Sequence, residues 1–216
     1  DGFVADLLTT YKVPQFQIDP TTPSPEIPSI AGSDREGARA MTEHLLALGH
    51  RRIAFLTGPR NLRSSAARLE GYQAALESHV SRSDPALLEP SEFTFDGGYT
   101  AARLLLTRKH PPTAIFAGSD SAAYGALFAA QELGFSIPTD LSICGYSDLT
   151  LSKFFFPGLT TVHQPIEEML EMATRRLIAA LKGSPPQENT LILPSRLVVR
   201  GSTAPPKEKA PRDRDA

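Results

Sequence analysis

Hydrophobic positions along the chain switch between two spacings. Short runs of bulky residues alternate with longer stretches in which apolar positions recur every three or four residues, as in buried strands followed by amphipathic helices. Thr113–Ala117 (TAIFA) predicts a strand, and Ser121–Leu133 a helix with Ala122, Ala126, Leu127, Ala130 and Leu133 on one side and Gly134 as its stop. Leu141–Tyr146 predicts a second strand, so Pro112 to Asp148 makes a right-handed parallel crossover. Upstream, the pattern predicts strands over Val13–Asp19 and Ser29–Ser33, a helix capped by Asp34 and ending at Leu48, and a strand over Arg52–Leu56. A helix then starts at Ser64 or Ser65, followed by irregular chain to Pro90, an extended piece at Phe93–Phe95 and a helix over Gly98–Arg108. Downstream come a strand over Thr160–His163, a helix over Ile166–Lys182 opened by Pro165, and strands over Thr190–Leu193 and Arg196–Arg200. Asp1-Gly2-Phe3-Val4 reads as the end of a strand. Alternation of this kind defines an α/β fold with mostly parallel sheet.

Composition narrows the function classes. A length of 216 residues allows one large domain or two small ones, and 41% hydrophobic content supports a core. Lys+Arg 22 against Asp+Glu 24 leaves a net charge of −2, which is no footprint for nucleic acid or an anionic membrane. No apolar run approaches the roughly 20 residues of a membrane span. The single cysteine, Cys144, excludes an intrachain disulfide and sits in a predicted strand, where it reads as a small buried hydrophobe. The chain has no H-E-x-x-H, no Walker A, no G-x-S-x-G and no G-x-G-x-x-G after a strand. Its histidines (His44, His50, His79, His110, His163) lack metal-ligand spacing, so the expectation is no catalysis, metal or cofactor. The charged, proline-rich stretch 204–216 is expected to be disordered.

What remains is a set of residues suited to gripping a small polar molecule. Two predicted strands end in the same pair, Ser119-Asp120 and Ser147-Asp148, and open parallel sheets bind ligands beyond the carboxyl ends of their strands. Ser64 and Arg68 lie four apart on one helix face, offering a hydroxyl and a guanidinium to an oxygen-rich or anionic ligand; equally, Ser64 is an N-cap and Arg68 a solvated charge. Phe93 is either a stacking platform or a core aromatic, Asp120 and Asp148 either ligand contacts or caps. The amide of Gln164 both donates and accepts, which fits hydroxyl recognition as well as an idle loop position.

Seven stretches together carry a family resemblance: HLLALGHRRIAFLTG (44–58), SSAARLEGYQAAL (64–76), FTFDGGYTAARLLL (93–106), PTAIFAGSDSAAYGAL (112–127), GFSIPTDLSICGYSD (134–148), PGLTTVHQP (157–165) and LPSRLVVRGS (193–202). In this order they resemble the effector-binding domain of lactose/galactose-repressor-type (LacI/GalR) bacterial transcription regulators. The resemblance implies a periplasmic-binding-protein-like fold of two doubly wound parallel-sheet subdomains with a sugar, sugar phosphate or purine effector between them. It places the first, incomplete subdomain at 1–48 plus 165–189 and the second at 49–164 plus 190–203. Family effector contacts fall on Arg35, Ser64, Arg68, Phe93, Ser119, Ser147 and Gln164, and the strand-end reading adds Asp120. Two positions depart from the family pattern: Ser119 stands where Asn is common and Ser147 where Asp is common. The second exchange gives up charge-assisted hydrogen bonds, about 1.5–3 kcal/mol where one is made.

The resemblance further implies a cytoplasmic regulator, a homodimer at full length, and contact with operator DNA only through an N-terminal helix-turn-helix outside this sequence. The expectation is therefore an N-terminally truncated fragment or a diverged relative. Its first subdomain would carry an open sheet edge and be the less stable one. A periplasmic-type sugar-binding protein shares the fold and is the alternative, with an enzyme on a similar frame behind it.

Overall fold

The computed structural model describes residues 8, 10, 11, 13–79, 84–184 and 190–207, so the strand end expected at Asp1–Val4 lies outside the described residues. In chain order the elements are β1 (Gln17–Ile18), β2 (Ser29–Gly32), α1 (Asp34–Ala47), β3 (Ile53–Thr57), α2 (Arg63–His79), β4 (Leu88–Pro90), α3 (Phe95–Leu106), β5 (Ala114–Ala117), α4 (Asp120–Glu132), β6 (Ser142–Cys144), β7 (Thr161–His163), α5 (Ile166–Leu181), β8 (Thr190–Leu193) and β9 (Arg196–Val198). They form two compact units. Residues up to Ser33 with Gln164–Ser195 make the smaller, and Asp34–His163 with Arg196 onward the larger.

The larger unit is built on a parallel sheet of order β4-β3-β5-β6. Side chains alternate across a strand, so each strand feeds two cores. Ala54 and Leu56 of β3, Ile115 and Ala117 of β5, and Ile143 of β6 pack with Ala101, Leu105, Ala126 and Ala130 of α3 and α4. Ile53, Phe55, Ala114, Phe116 and Cys144 point the other way, into a core with Ala38, Met41 and Leu45 of α1 and Tyr72 and Ala75 of α2. The stacked rings of Phe55 and Tyr72, centroids 5.0 Å apart, sit in this second core. Glycines let α3 and α4 cross at backbone distance: a methyl on Gly98 would lie 2.0 Å from the Ala122 carbonyl oxygen, and one on Gly125 2.0 Å from that of Phe95. Cys144 is fully buried, as a hydrophobe, and burial raises its thiol pKa well above the ordinary value.

The smaller unit has a parallel sheet of order β1-β2-β8 covered by α5, with Ile30, Leu193, Met169 and Ala173 as its centre.

Four expectations need correction. First, the unit boundary falls at Ser33, not Leu48, because the apolar stripe of α1 is buried against α2 in the larger unit. Second, β8 belongs to the smaller unit because it pairs in register with β2, Ser29 opposite Thr190. Third, Phe93–Phe95 is not extended: Glu92 and Phe93 are left-handed (φ 52° and 57°), and α3 begins at Phe95, capped by Thr94, whose Oγ1 accepts from the Gly97 N–H. Fourth, residues 204–207 are held in place, whereas 208–216 lie outside the described residues. The Ala204 N–H donates to Ser142 Oγ, and Lys207 pairs with Asp140.

Candidate functional site

The carboxyl ends of β3, β4, β5 and β6 converge on a set of backbone hydrogen bonds that ties one loop to the next. The Gly118 N–H donates to the Leu56 carbonyl, Ser91 to Thr57, Asp120 to Tyr146, and Ser147 to Val162. Ser119 Oγ donates to the Phe93 carbonyl at 3.2 Å and accepts from the Ala122 N–H, so it caps α4 while fastening the Phe93 loop to the end of β5.

Arg68 is the centre of this region. Its side chain is 5% exposed; Nε donates to Asp34 Oδ1 at 2.9 Å and Nη1 to the Gly118 carbonyl at 2.8 Å. The guanidinium carbon lies 3.8 Å from the centroid of the Tyr146 ring and 5.2 Å from that of Phe93. Phe93 in turn lies directly on backbone: a methyl on Gly58 would come within 2.2 Å of its ring, and one on Gly118 within 2.7 Å. Ser64 is one turn before Arg68 on the same face of α2, buried, with a hydroxyl that makes no hydrogen bond to the described residues.

Two loops here hold non-glycine residues at positive φ: Glu92 and Phe93, then Ser147 (134°) and Asp148 (61°). Such residues cost about 1–3 kcal/mol each and persist where their surroundings fix them. For Asp148 the surroundings are Arg200, whose Nη2 donates at 2.5 Å, and His163, whose Nδ1 is 3.1 Å away.

Asp120 behaves differently from the expectation of a ligand contact. It is fully buried, and its carboxylate accepts from the Leu149 N–H (2.8 Å), Ser152 Oγ (2.7 Å) and Thr161 Oγ1 (2.5 Å). Burial raises its pKa, offset by those three donors, and Asp148 adds repulsion. The carboxylate is consumed in clasping the segment after Ser147 to β7.

The structure thus gathers Arg68, Phe93, Ser119 and Ser147 at one end of the larger sheet, with Ser64 beside them. Arg35 is exposed in the first turn of α1. Gln164 belongs to the smaller unit, 6% exposed, with its side chain against Gly32. Asp34 and Tyr146 were not foreseen as partners of Arg68. Asp34 looks like a cap from its place before a helical stripe, and nothing local links it to a residue 34 positions on. Among the described residues no group of His, Cys, Asp or Glu is arranged to hold a metal ion, and no helix is long and apolar enough to cross a membrane.

Residues 42–203 match the periplasmic binding protein-like domain family. The transcriptional repressor PurR of Escherichia coli is 33% identical over 169 residues, 78% of this chain and 50% of PurR. The chain therefore spans about half the length of the curated relatives it matches. Among solved structures, a LacI-family transcriptional regulator from Enterococcus faecium with bound ribose has TM-score 0.88 at 31% identity, covering 94% of this chain and 76% of that one. The transcriptional regulator CelR in complex with cellobiose has TM-score 0.85 at 32% identity, over 92% of this chain and 61% of that one. A LacI-family regulatory protein from Chloroflexus aggregans has TM-score 0.84 at 31% identity, over 93% and 72%. With a family model matched over most of its length and these regulators sharing its fold at such identity, the chain belongs to the periplasmic-binding-protein-like effector domains of the LacI family of transcriptional regulators.

Proposed function

We propose that the chain senses a small polar effector, a sugar, sugar phosphate or purine, and that in the whole protein this binding controls a DNA-binding module. The observation that carries the reading is the buried Arg68, fixed by Asp34 and Gly118 beneath the Phe93 loop, beside a Ser64 hydroxyl with no hydrogen-bond partner among the described residues. A guanidinium already oriented by protein groups loses little entropy when a ligand arrives. An aromatic ring stacked on glycine backbone offers a flat apolar face to a sugar or base. Ser119, Ser147, Gln164 and Arg35 are the further proposed contacts. Asp120 acts as a positioning residue that holds the Ser147 loop.

A serine at 147 removes a carboxylate acceptor for ligand hydroxyls, which favours an effector with fewer hydroxyls there or with an anionic group for Arg68. In the whole regulator, effector binding shifts the populations of states with different operator affinity, by its differential affinity for them. Homodimerisation and operator contact through a helix-turn-helix are proposed for that longer protein. No chemical transformation of the ligand is proposed.

A thermal-shift panel of ribose, cellobiose, sugar phosphates and purine bases tests the reading, since a ligand in excess over its dissociation constant raises Tm. At least one class is expected to raise Tm. Ser64→Ala is expected to weaken that ligand by about fivefold, one neutral hydrogen bond, while leaving the ligand-free Tm unchanged. A panel without effect, or full affinity in both Ser64→Ala and Phe93→Leu, would refute the assignment.

A further inference from the structure

The larger unit holds a cavity of about 400 Å³ at the outer edge of its sheet, within the usual range of roughly 300–1,000 Å³ for small-molecule pockets. It exists because β4 is an edge strand. α2 covers β3 with Tyr72 and Ala75, and the outer flank of that helix, Ser65, Ala66 and Leu69, faces the cavity beside Leu88, which no other helix of the described residues lines. Leu69 and Leu88 border the α1/α2 core on one side and line the cavity on the other.

The lining has three chemical parts. The floor, including Ala66, Leu69 and Leu88, is apolar. Ser65 is 5% exposed and its hydroxyl makes no hydrogen bond to the described residues. Arg60 and Glu92, of opposite sign, are exposed at the cavity and form no ion pair with the described residues; Glu89, the other acid there, is taken by Arg108. The effector contacts proposed above are not among the lining residues: Ser64 and Arg68 lie on the neighbouring face of α2.

We infer that this cavity is a second ligand site, taking a small zwitterion with a compact apolar body, for which an amino acid with a large apolar side chain is the simplest form. An apolar floor would strip water from sugar hydroxyls without replacing their hydrogen bonds. A dianionic phosphate ester would meet Arg60 but be repelled by Glu92. A carboxylate on Arg60, an ammonium group on Glu92 and an apolar side chain against Leu69 and Leu88 match every part of the lining, and the Ser65 hydroxyl gains a partner.

Calorimetric titration of the chain with L-phenylalanine and L-leucine, beside 3-phenylpropionate, phenethylamine and ribose, tests it. Saturable binding of the two amino acids is expected, with each one-headed analogue and the Arg60→Gln variant weaker by about tenfold, the worth of one charged hydrogen bond. Ala66→Leu fills the cavity from an exposed, helix-compatible position, so it should abolish binding without lowering Tm. Ser64→Ala should leave amino-acid binding intact. The inference is overturned if neither amino acid saturates up to its solubility, if Ala66→Leu binds as the parent does, if an analogue lacking one head group binds equally well, or if Ser64→Ala alone removes the binding.

Discussion

Burying a guanidinium requires an anion and acceptors around it, and Arg68 has both in Asp34 and the Gly118 carbonyl. The pair is 5% and 3% exposed, so removing one partner leaves a bare charge in a poorly solvated place. Asp34→Ala is therefore expected to lower unfolding free energy by about 3–5 kcal/mol, with Asp34→Asn, which keeps the acceptor, costing less. Urea denaturation of both variants checks this, and equal stability of Asp34→Ala and the parent would contradict it. The spacing of Ser64 and Arg68 was readable from the chain because four residues make one helical face. The roles of Asp34 and Asp120 were not, since sequence position cannot tell whether a carboxylate at an element's start turns outward to a ligand or inward to distant donors such as Thr161.

At the scale of elements, the segment after β9 shows how the fold uses a stretch that composition marks as disordered. His50 is 1% exposed, with Nδ1 2.9 Å from Thr113 Oγ1 and Nε2 within 3.1 Å of both Ser142 Oγ and the Ala204 carbonyl. His44 contacts Thr203 in the same way, and Ser202 accepts from the Thr160 N–H. Burial pushes the His50 pKa below 6.5, partly offset by the Ala204 carbonyl, with nearby His44 lowering it further. As pH falls below about 6.5 the unfolded chain takes up this proton before the folded one does, so the stability His50 contributes is complete above that pH and is lost as pH falls toward its depressed folded value. Unfolding free energy is expected to decline from pH 7 to about 5, with amide exchange rising at 203–204, and His50→Asn is expected to flatten that slope. An identical pH profile in the variant would remove His50 as the cause. The positive φ at Phe93 escaped the sequence reading for a related reason: bulky aromatics rarely adopt it, and only the surrounding contacts enforce it.

For the whole molecule, the two units differ in how much apolar surface they bury. Among the described residues the larger has two extensive cores on either face of one sheet, the smaller one modest cluster around Ile30, Met169, Ala173 and Leu193. On α5 the residues Ile166, Leu170, Ile178 and Leu181 remain between 39% and 64% exposed. Local stability follows buried contact, so amides of β2 and α5 are expected to exchange at lower denaturant than those of β3 and β5 in native-state hydrogen exchange. Simultaneous loss of protection in both sets would show that the units unfold as one.

Most elements, the α/β class and the parallel crossover from β5 to β6 were determined by the sequence itself, because hydrophobic periodicity is a local signal and parallel connections allow few topologies. Tertiary structure alone decided the unit to which α1 and β8 belong, the inward turn of Asp120, the pairing of Arg68 with Asp34 and the fastening of residues 203–207. Each of these joins residues far apart in the chain, where the choice of partner depends on which surfaces packing brings together rather than on any spacing along the sequence.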